Sequence, residues 1–264
     1  ASKSVLRSVG DRGTGVALCR FSAQVTTWAG ADLFHQWVCT QGIPHALYCD
    51  WKSVYKRKPT SREEFEGIEP ETQFGRMCAK LGIRIIAASS PQAKGRVERH
   101  HGTHQDRLIK KMRLAGIADY EAANRYLEEQ YLDEHNAKFG REPAAGANFH
   151  RRLSKRLDLK WVFCLEAERV VSNDFVVRFA NRFLQLKPKR NQGLGAGARV
   201  TLQQAREGEL RVVSDGRAVL FDEISEPAQK TQAQPRQRVA PRPHKPAANH
   251  PWREPLPKKH AANS

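Results

Sequence analysis

The sequence predicts an α/β core followed by a small β-barrel domain and a disordered basic tail, and three observations carry that prediction. Short apolar segments alternate with segments of helical spacing up to residue 145, the pattern of a sheet covered by helices. Between residues 165 and 225, short strands of alternating character are separated by Asn, Gly and Asp turns, the signal of a small barrel. From Glu226 onward, 8 of the chain's 14 prolines fall among Gln, Ala, Lys and Arg, a composition that cannot bury a core. The boundaries are a core over 1–145, a linker over 146–164, a barrel over 165–225 and a tail over 226–264.

Within the core, Gly10-Asp11-Arg12-Gly13-Thr14-Gly15 reads as a turn and residues 16–21 as a short apolar strand. Residues 27–41 place Trp28, Leu33, Phe34, Trp37 and Val38 at helical spacing, with Gly42 as terminator. Residues 44–49 read as a second buried strand that delivers Asp50 to its C-terminal end, and 51–70 as a polar loop. A helix over 72–81, stopped by Gly82, leads to a third strand over 83–88. Residues 89–95 read as a turn-rich loop, 96–114 as a long basic helix and 119–135 as a further amphipathic helix. Strand and helix in alternation imply a mainly parallel sheet. In the barrel, strands begin near Glu168, Phe175, Arg182, Arg199 and Leu210.

The formal net charge is +17. The tail holds 8 Lys/Arg against 2 Glu, which leaves about +11 in the rest of the chain. A body this basic points to a polyanionic partner, because neutralising phosphates releases their counterions. No apolar run approaches the roughly 18 to 20 residues of a membrane span, so no membrane partner is expected. Cys19, Cys39, Cys49, Cys78 and Cys164 are scattered singly, without zinc spacing, and read as buried free thiols of a reducing cytoplasm.

Two carboxylates stand where chemistry could occur. Asp50 follows an apolar strand, and ligand sites of open α/β sheets gather at the carboxyl ends of strands. Glu98 lies near the start of a helix rich in Lys and Arg. Taken singly, each has a plainer reading: Asp50 as a loop or capping residue, Glu98 as a favourable charge near a helix N-terminus.

The words around them carry more. SPQAKGRVERHHGTHQDRLIKKMR (90–113) closely resembles the segment bearing the catalytic Glu in integrase-core transposases of bacterial insertion sequences, the retroviral-integrase-like DDE class. GIPHALYCDWKSVY (42–55) resembles the strand and loop bearing the second catalytic Asp of that family. The resemblance covers roughly residues 10–225. It implies an RNase H-like core that cleaves and joins DNA strands with Mg²⁺ or Mn²⁺, and it makes Asp50 and Glu98 the metal-binding catalytic carboxylates. The spacing between them is longer than in the best-known members, and the extra length is assigned to the loop near 56–70. By the same resemblance the family's first Asp sits in the middle of the first sheet strand. Asp11 falls instead in the turn that follows, so it is a doubtful ligand, and a first strand is expected upstream of Ala1. In the segment His135-Asn136 the Asn is read as structural.

DNA contacts are expected from Gln92, Lys94, Arg96, Arg99, His100, Lys110, Lys111 and Arg113, a basic stripe beside the acidic site. His100 and His104 have i, i+4 spacing, but His101 stands where a zincin helix needs Glu, which argues against zinc hydrolysis. The leading reading is therefore a DNA strand transferase of the bacterial cytoplasm, associated with the nucleoid. It would act as a homo-oligomer on double-stranded DNA, both transposon ends and target. The alternative is a truncated or degenerate relative that only binds DNA. A nuclease for RNA–DNA hybrids is disfavoured by the specificity of the 90–113 segment.

Overall fold

The computed structural model describes residues 4–49, 61–65, 70–87, 91–143, 148–189, 193–225 and 250. For residues 91–101 it describes the backbone alone. The chain divides into two units, 1–225 and 226–264, and the first carries all the architecture that follows. The expected tail, apart from His250, lies outside the described residues.

The first unit opens with an antiparallel hairpin, β1 (Val5–Gly10) and β2 (Ala17–Ser22), in register from Val5↔Ser22 to Gly10↔Ala17. Helix α1 (Thr27–Gln41) follows, its N-terminus capped by the Thr26 hydroxyl, which accepts from the Ala29 amide at 3.1 Å. Gly42 ends it at φ 93°, where a Cβ would stand 2.7 Å from the Arg151 carbonyl oxygen, so only glycine fits without strain. The strand expected over 44–49 is broken at His45 into β3 (Ile43–Pro44) and β4 (Ala46–Cys49). Proline supplies no ladder donor, and β3 pairs elsewhere, with a later strand.

After α2 (Ser61–Phe65), α3 (Gln73–Lys80) is capped by Thr72 and followed by Gly82 at φ 64°. β5 (Arg84–Ala87) then runs parallel to β4, Ala46↔Arg84 to Cys49↔Ala87. Helix α4 (Pro91–Leu114) starts five residues earlier than expected. Pro91 explains the difference: the residue that reads as a turn former is pre-organised for the first helical position. Helix α5 (Tyr120–Tyr126), a π-helical turn (Leu127–Tyr131) and α6 (Leu132–Phe139) run on without a break. β6 (His150–Arg151) pairs with β3, and a short α7 (Leu159–Val162) leads out of the linker.

The sheet is not the mainly parallel one expected. β4–β5 is its parallel part and β1–β2 is antiparallel, with no ladder joining the two pairs among the described residues. The strand that precedes the Asp11 turn, expected upstream of Ala1, is β1 within the chain; Arg7, buried at its centre, hides it in the sequence by breaking the apolar alternation.

Helices cover both faces of the hairpin. On one side Val9, Val16 and Leu18 pack with Phe34, Trp37 and Val38 of α1 and Phe74 and Met77 of α3. On the other, Cys19 and Phe21 pack with Leu108 of α4, Leu127, Tyr131 and Leu132. The outer edge of β2 is closed by two asparagines. Asn124 accepts from the Phe21 amide at 2.7 Å and donates to the Phe21 carbonyl at 3.1 Å. Asn136 treats Ala17 the same way, at 2.8 and 3.0 Å. Each side-chain amide thus stands in for a neighbouring strand, which removes an open edge.

The π-turn makes this double clamp possible. Twelve positions separate the two asparagines, and at about 100° per α-helical residue they would point about 120° apart. A π-turn absorbs one extra residue, which leaves about eleven effective steps and brings both within about 20° of one face.

Six antiparallel strands form the second core: β7 (Leu165–Val170), β8 (Val176–Phe179), β9 (Arg182–Lys187), β10 (Arg199–Gln204), β11 (Leu210–Ser214) and β12 (Arg217–Ile224). Their order is β7-β10-β11-β12-β9-β8, and the Ser172 amide bonds the Val176 carbonyl to bring the two outer strands together. Val177, Leu184, Leu202 and Val212 fill the interior. The hairpins turn at Ala180-Asn181 and Asp215-Gly216, all four at positive φ, the geometry that matches strand twist. β12 is a strand that the sequence pattern conceals, because Arg217, Asp222 and Glu223 mask its alternation.

The near-barrel is fastened to the core through Glu166. Gln73 brackets its backbone, donating to its carbonyl at 2.7 Å and accepting from its amide at 2.9 Å. Its carboxylate, only 10% exposed, pairs with Arg76 at 2.9 Å and with Lys80, and accepts from Gln203 at 2.7 Å. Burial opposes the charge on this carboxylate, but Lys80, Gln203 and Arg76 outweigh it and hold its pKa below the usual glutamate value.

Candidate active site

β4 and β5 end in register, so the chain leaves the same end of the parallel pair twice. After Cys49 comes Asp50, and four residues after Ala87 comes the first residue of α4. Asp50 itself lies outside the described residues. Glu98 and Arg99 fall in the third turn of α4 and Arg96 in the second, while Gln92 and Lys94 fall at the start of the helix rather than in a loop. The side chains of Gln92, Lys94, Arg96, Glu98, Arg99 and His100 lie outside the described residues.

Further along α4 the side chains are described. Lys110 pairs with Asp106, and Lys111 pairs with Glu134 of α6. Arg113 is exposed in the last turn. Two of the three expected DNA contacts here thus have carboxylate partners.

Asp11 belongs to the β1–β2 turn. Its Oδ2 accepts from the Thr14 amide at 2.8 Å and the Thr14 hydroxyl at 2.7 Å. Burial raises the pKa of this carboxyl, yet the bonds from Thr14 and Gly13, with the nearby His150, bring it below the usual aspartate value. Asx geometry of this kind uses the carboxylate to hold the turn. Among the described residues, no three His, Cys, Asp or Glu side chains gather as a metal site.

His104 is a core residue. It is fully buried, with one ring nitrogen 3.4 Å from the Cys19 sulfur and the other 3.0 Å from the Tyr131 hydroxyl. Its ring lies 4.4 Å from that of His135. Burial pushes the Cys19 thiol to about 12, and the Tyr131 hydroxyl to about 12 as well. The cysteines are all free thiols, and four are buried as expected; Cys39 is exposed, because it lies on the outer side of α1.

Sequence reasoning missed the cationic linker. Arg152, Lys155 and Arg156 are exposed, and the signal that could have found them is the run 150–156, with four Lys/Arg and no Asp or Glu.

No protein-family model matches the chain. A Sinorhizobium fredii protein named as a transposase, y4bF, is 31% identical over 214 residues, 80% of this chain and 46% of that protein. The transposase for insertion sequence IS1202 of Streptococcus pneumoniae is 30% identical over 175 residues, 66% of this chain and 37% of that protein. The chain thus spans less than half the length of the curated relatives it matches. Among solved structures, the simian T-cell lymphotropic virus intasome in complex with PP2A regulatory subunit B56 gamma is similar over 82% of this chain and 71% of that chain, at 11% identity and TM-score 0.39. The likeness to insertion-sequence transposases read from residues 42–55 and 90–113 is borne out by the curated relatives.

Proposed function

We propose that this chain, a relative of bacterial insertion-sequence transposases, is the catalytic region of a DDE-type DNA strand transferase built on an RNase H-like core. The observation that carries the reading is the topology of β4, β5 and α4. Asp50 and the helix bearing Glu98 both follow from the same end of a parallel strand pair, where α/β sheets collect their ligands.

In this reading Asp50 and Glu98 would hold Mg²⁺ or Mn²⁺, for which carboxylate oxygens are suitable hard donors. Such ions, when bound, lower the cost of charge on the attacking and leaving oxygens of a phosphodiester. The chain's own residues supply the rest: Gln92, Lys94, Arg96, Arg99 and His100 approach the DNA backbone near the reacting bond, and Lys110, Lys111 and Arg113 extend that contact. Lys110 and Lys111 would exchange their carboxylate partners for phosphates. Asp11 is given a turn-holding role only. The partners are double-stranded transposon ends and target DNA, bound by a homo-oligomer in the bacterial cytoplasm. Among the described residues no helix is long and apolar enough to cross a membrane.

A second reading, DNA binding without cleavage, is favoured by one observation: the hairpin aspartate, Asp11, is engaged by Thr14. Cleavage of a labelled terminal-repeat duplex with Mn²⁺ separates the two. The strand-transferase reading expects nicking that Asp50→Asn abolishes. Nicking that survives this change would overturn the assignment of the site, and tight binding with no nicking would establish the second reading.

A further inference from the structure

We propose that the linker strip Arg152, Lys155 and Arg156 is a preformed binding site for the phosphate backbone of duplex DNA, separate from α4. The proposal rests on the reading that the chain binds DNA, and it names a site that reading does not contain.

The strip is held at both ends by the core. Upstream, β6 pairs with β3 through Ile43↔Arg151, and the Arg151 guanidinium donates to the Leu81 and Gly82 carbonyls. Downstream, Leu157 and Leu159 pack against the first core, and Asp158 caps α7 by accepting from the Lys160 amide at 3.1 Å. Between these anchors the Leu157 amide bonds the Ser154 carbonyl at 3.0 Å, and the Arg156 amide bonds the Ser154 hydroxyl at 3.3 Å. The backbone bearing the three cations is therefore ordered before any ligand arrives, which lowers the entropy lost on binding.

Charge bookkeeping sets this strip apart. Several exposed cations elsewhere on the unit are neutralised locally, as in Arg20–Glu128, Lys160–Glu209, Arg182–Glu223, Lys187–Asp222 and Arg206–Asp32, whereas the linker places three exposed cations within five residues. Among the described residues no carboxylate comes within ion-pair distance of Arg152, Lys155 or Arg156, although all three are exposed. Three cations on one short ordered stretch of backbone, without counter-charges, repel one another, and a dense line of phosphates relieves that repulsion while releasing counterions. Two of the three are arginines, whose planar fork matches phosphate oxygens.

Position adds a consequence. Arg151 is tied to the residues that lead into β5, whereas Asp50 follows the far end of the parallel pair. Four strand residues span about 13 Å, so the strip would hold the duplex backbone beside the candidate carboxylates and not at the reacting bond itself. It adds to affinity and leaves the reacting bond alone.

The test measures binding of the full 264-residue chain to two unrelated 30-base-pair duplexes by fluorescence anisotropy across a salt series. The variant R152Q/K155Q/R156Q is compared with a control of equal charge loss at paired cations, R20Q/R182Q/K187Q. Three phosphate contacts correspond to a fall of about 2.7 in the slope of log K against log salt, at about 0.9 each. We expect most of that fall, and at least tenfold weaker binding at 0.1 M salt, equally on both duplexes and in the linker variant alone. Matching circular dichroism and melting temperature confirm that the variants fold. Equal slopes for the linker variant and the wild-type chain would overturn the proposal, as would an equal loss in the control. Failure of the wild-type chain to bind either duplex would overturn the DNA-binding reading itself, a result distinct from both.

Discussion

Replacing Asn136 with alanine removes both hydrogen bonds that close one end of the β2 edge, while deleting little buried volume. Ala17, the residue it serves, is 2% exposed, so water cannot readily take over its amide and carbonyl. A buried group left unsatisfied costs about 1 to 3 kcal/mol, and two such groups, partly relaxed, give a loss of about 2 to 4 kcal/mol. For a folded unit of this size that lowers the melting temperature by about 5 to 15 °C. The assay is thermal unfolding by circular dichroism, with Asn136→Gln as the companion, since a longer side chain keeps the chemistry and loses the reach. Deleting exposed Glu129 converts twelve positions to eleven and lets the π-turn relax to α-helix, with both asparagines still within about 20° of one face. Inserting one alanine after Glu129 instead turns Asn136 away by about 100°. The deletion should therefore cost far less than the insertion. A deletion as damaging as the insertion, or an Asn136→Ala change within about 0.5 kcal/mol of wild type, would refute the register argument.

Glu166→Gln removes the charge that Arg76 and Lys80 share, and leaving them without it should cost about 2 to 4 kcal/mol. Because the folded pKa of Glu166 is depressed, its contribution is present above the ordinary glutamate value and is lost as pH falls through the lower, folded one. An acid titration should therefore separate wild type from variant near neutrality and bring them together in strong acid; curves that stay parallel would contradict this. Gly42→Ala combines a positive φ with a contact at the Arg151 carbonyl, and should lower stability by at least about 2 kcal/mol in denaturant melts. Asp11→Ala should loosen the hairpin by about 1 to 2 kcal/mol yet leave Mn²⁺-dependent nicking within a few-fold of wild type; complete loss of nicking in a folded variant would make Asp11 a ligand after all.

What the sequence disclosed, and what it hid, divides along physical lines. Helix α1 was readable because Leu33, Phe34, Trp37 and Val38 recur on one face and Gly42 stops it. The β8–β9 hairpin is readable from its turn at Ala180-Asn181, and Asn136 reads as structural, which its bonds to Ala17 make it. Arg7 hid β1, since a buried cation looks like a solvent position in a short strand. Pro91 hid the start of α4, because the same residue opens turns and helices. Glu166 gave no signal at all: its role arises from side chains 93, 90 and 86 positions away, Gln73, Arg76 and Lys80. The π-turn carries no local sequence marker, and only the distance between two asparagines requires it.

In the proposed function Asp50 and Glu98 act together as one catalytic unit on DNA. Single-turnover nicking of a terminal-repeat duplex by Asp50→Asn, Glu98→Gln and the double variant tests it most directly. Groups that act as a unit are strongly non-additive. Each single change is expected to lower the rate by about a thousandfold or more, with no further loss in the double variant. A folded single variant that retains the wild-type rate would contradict it.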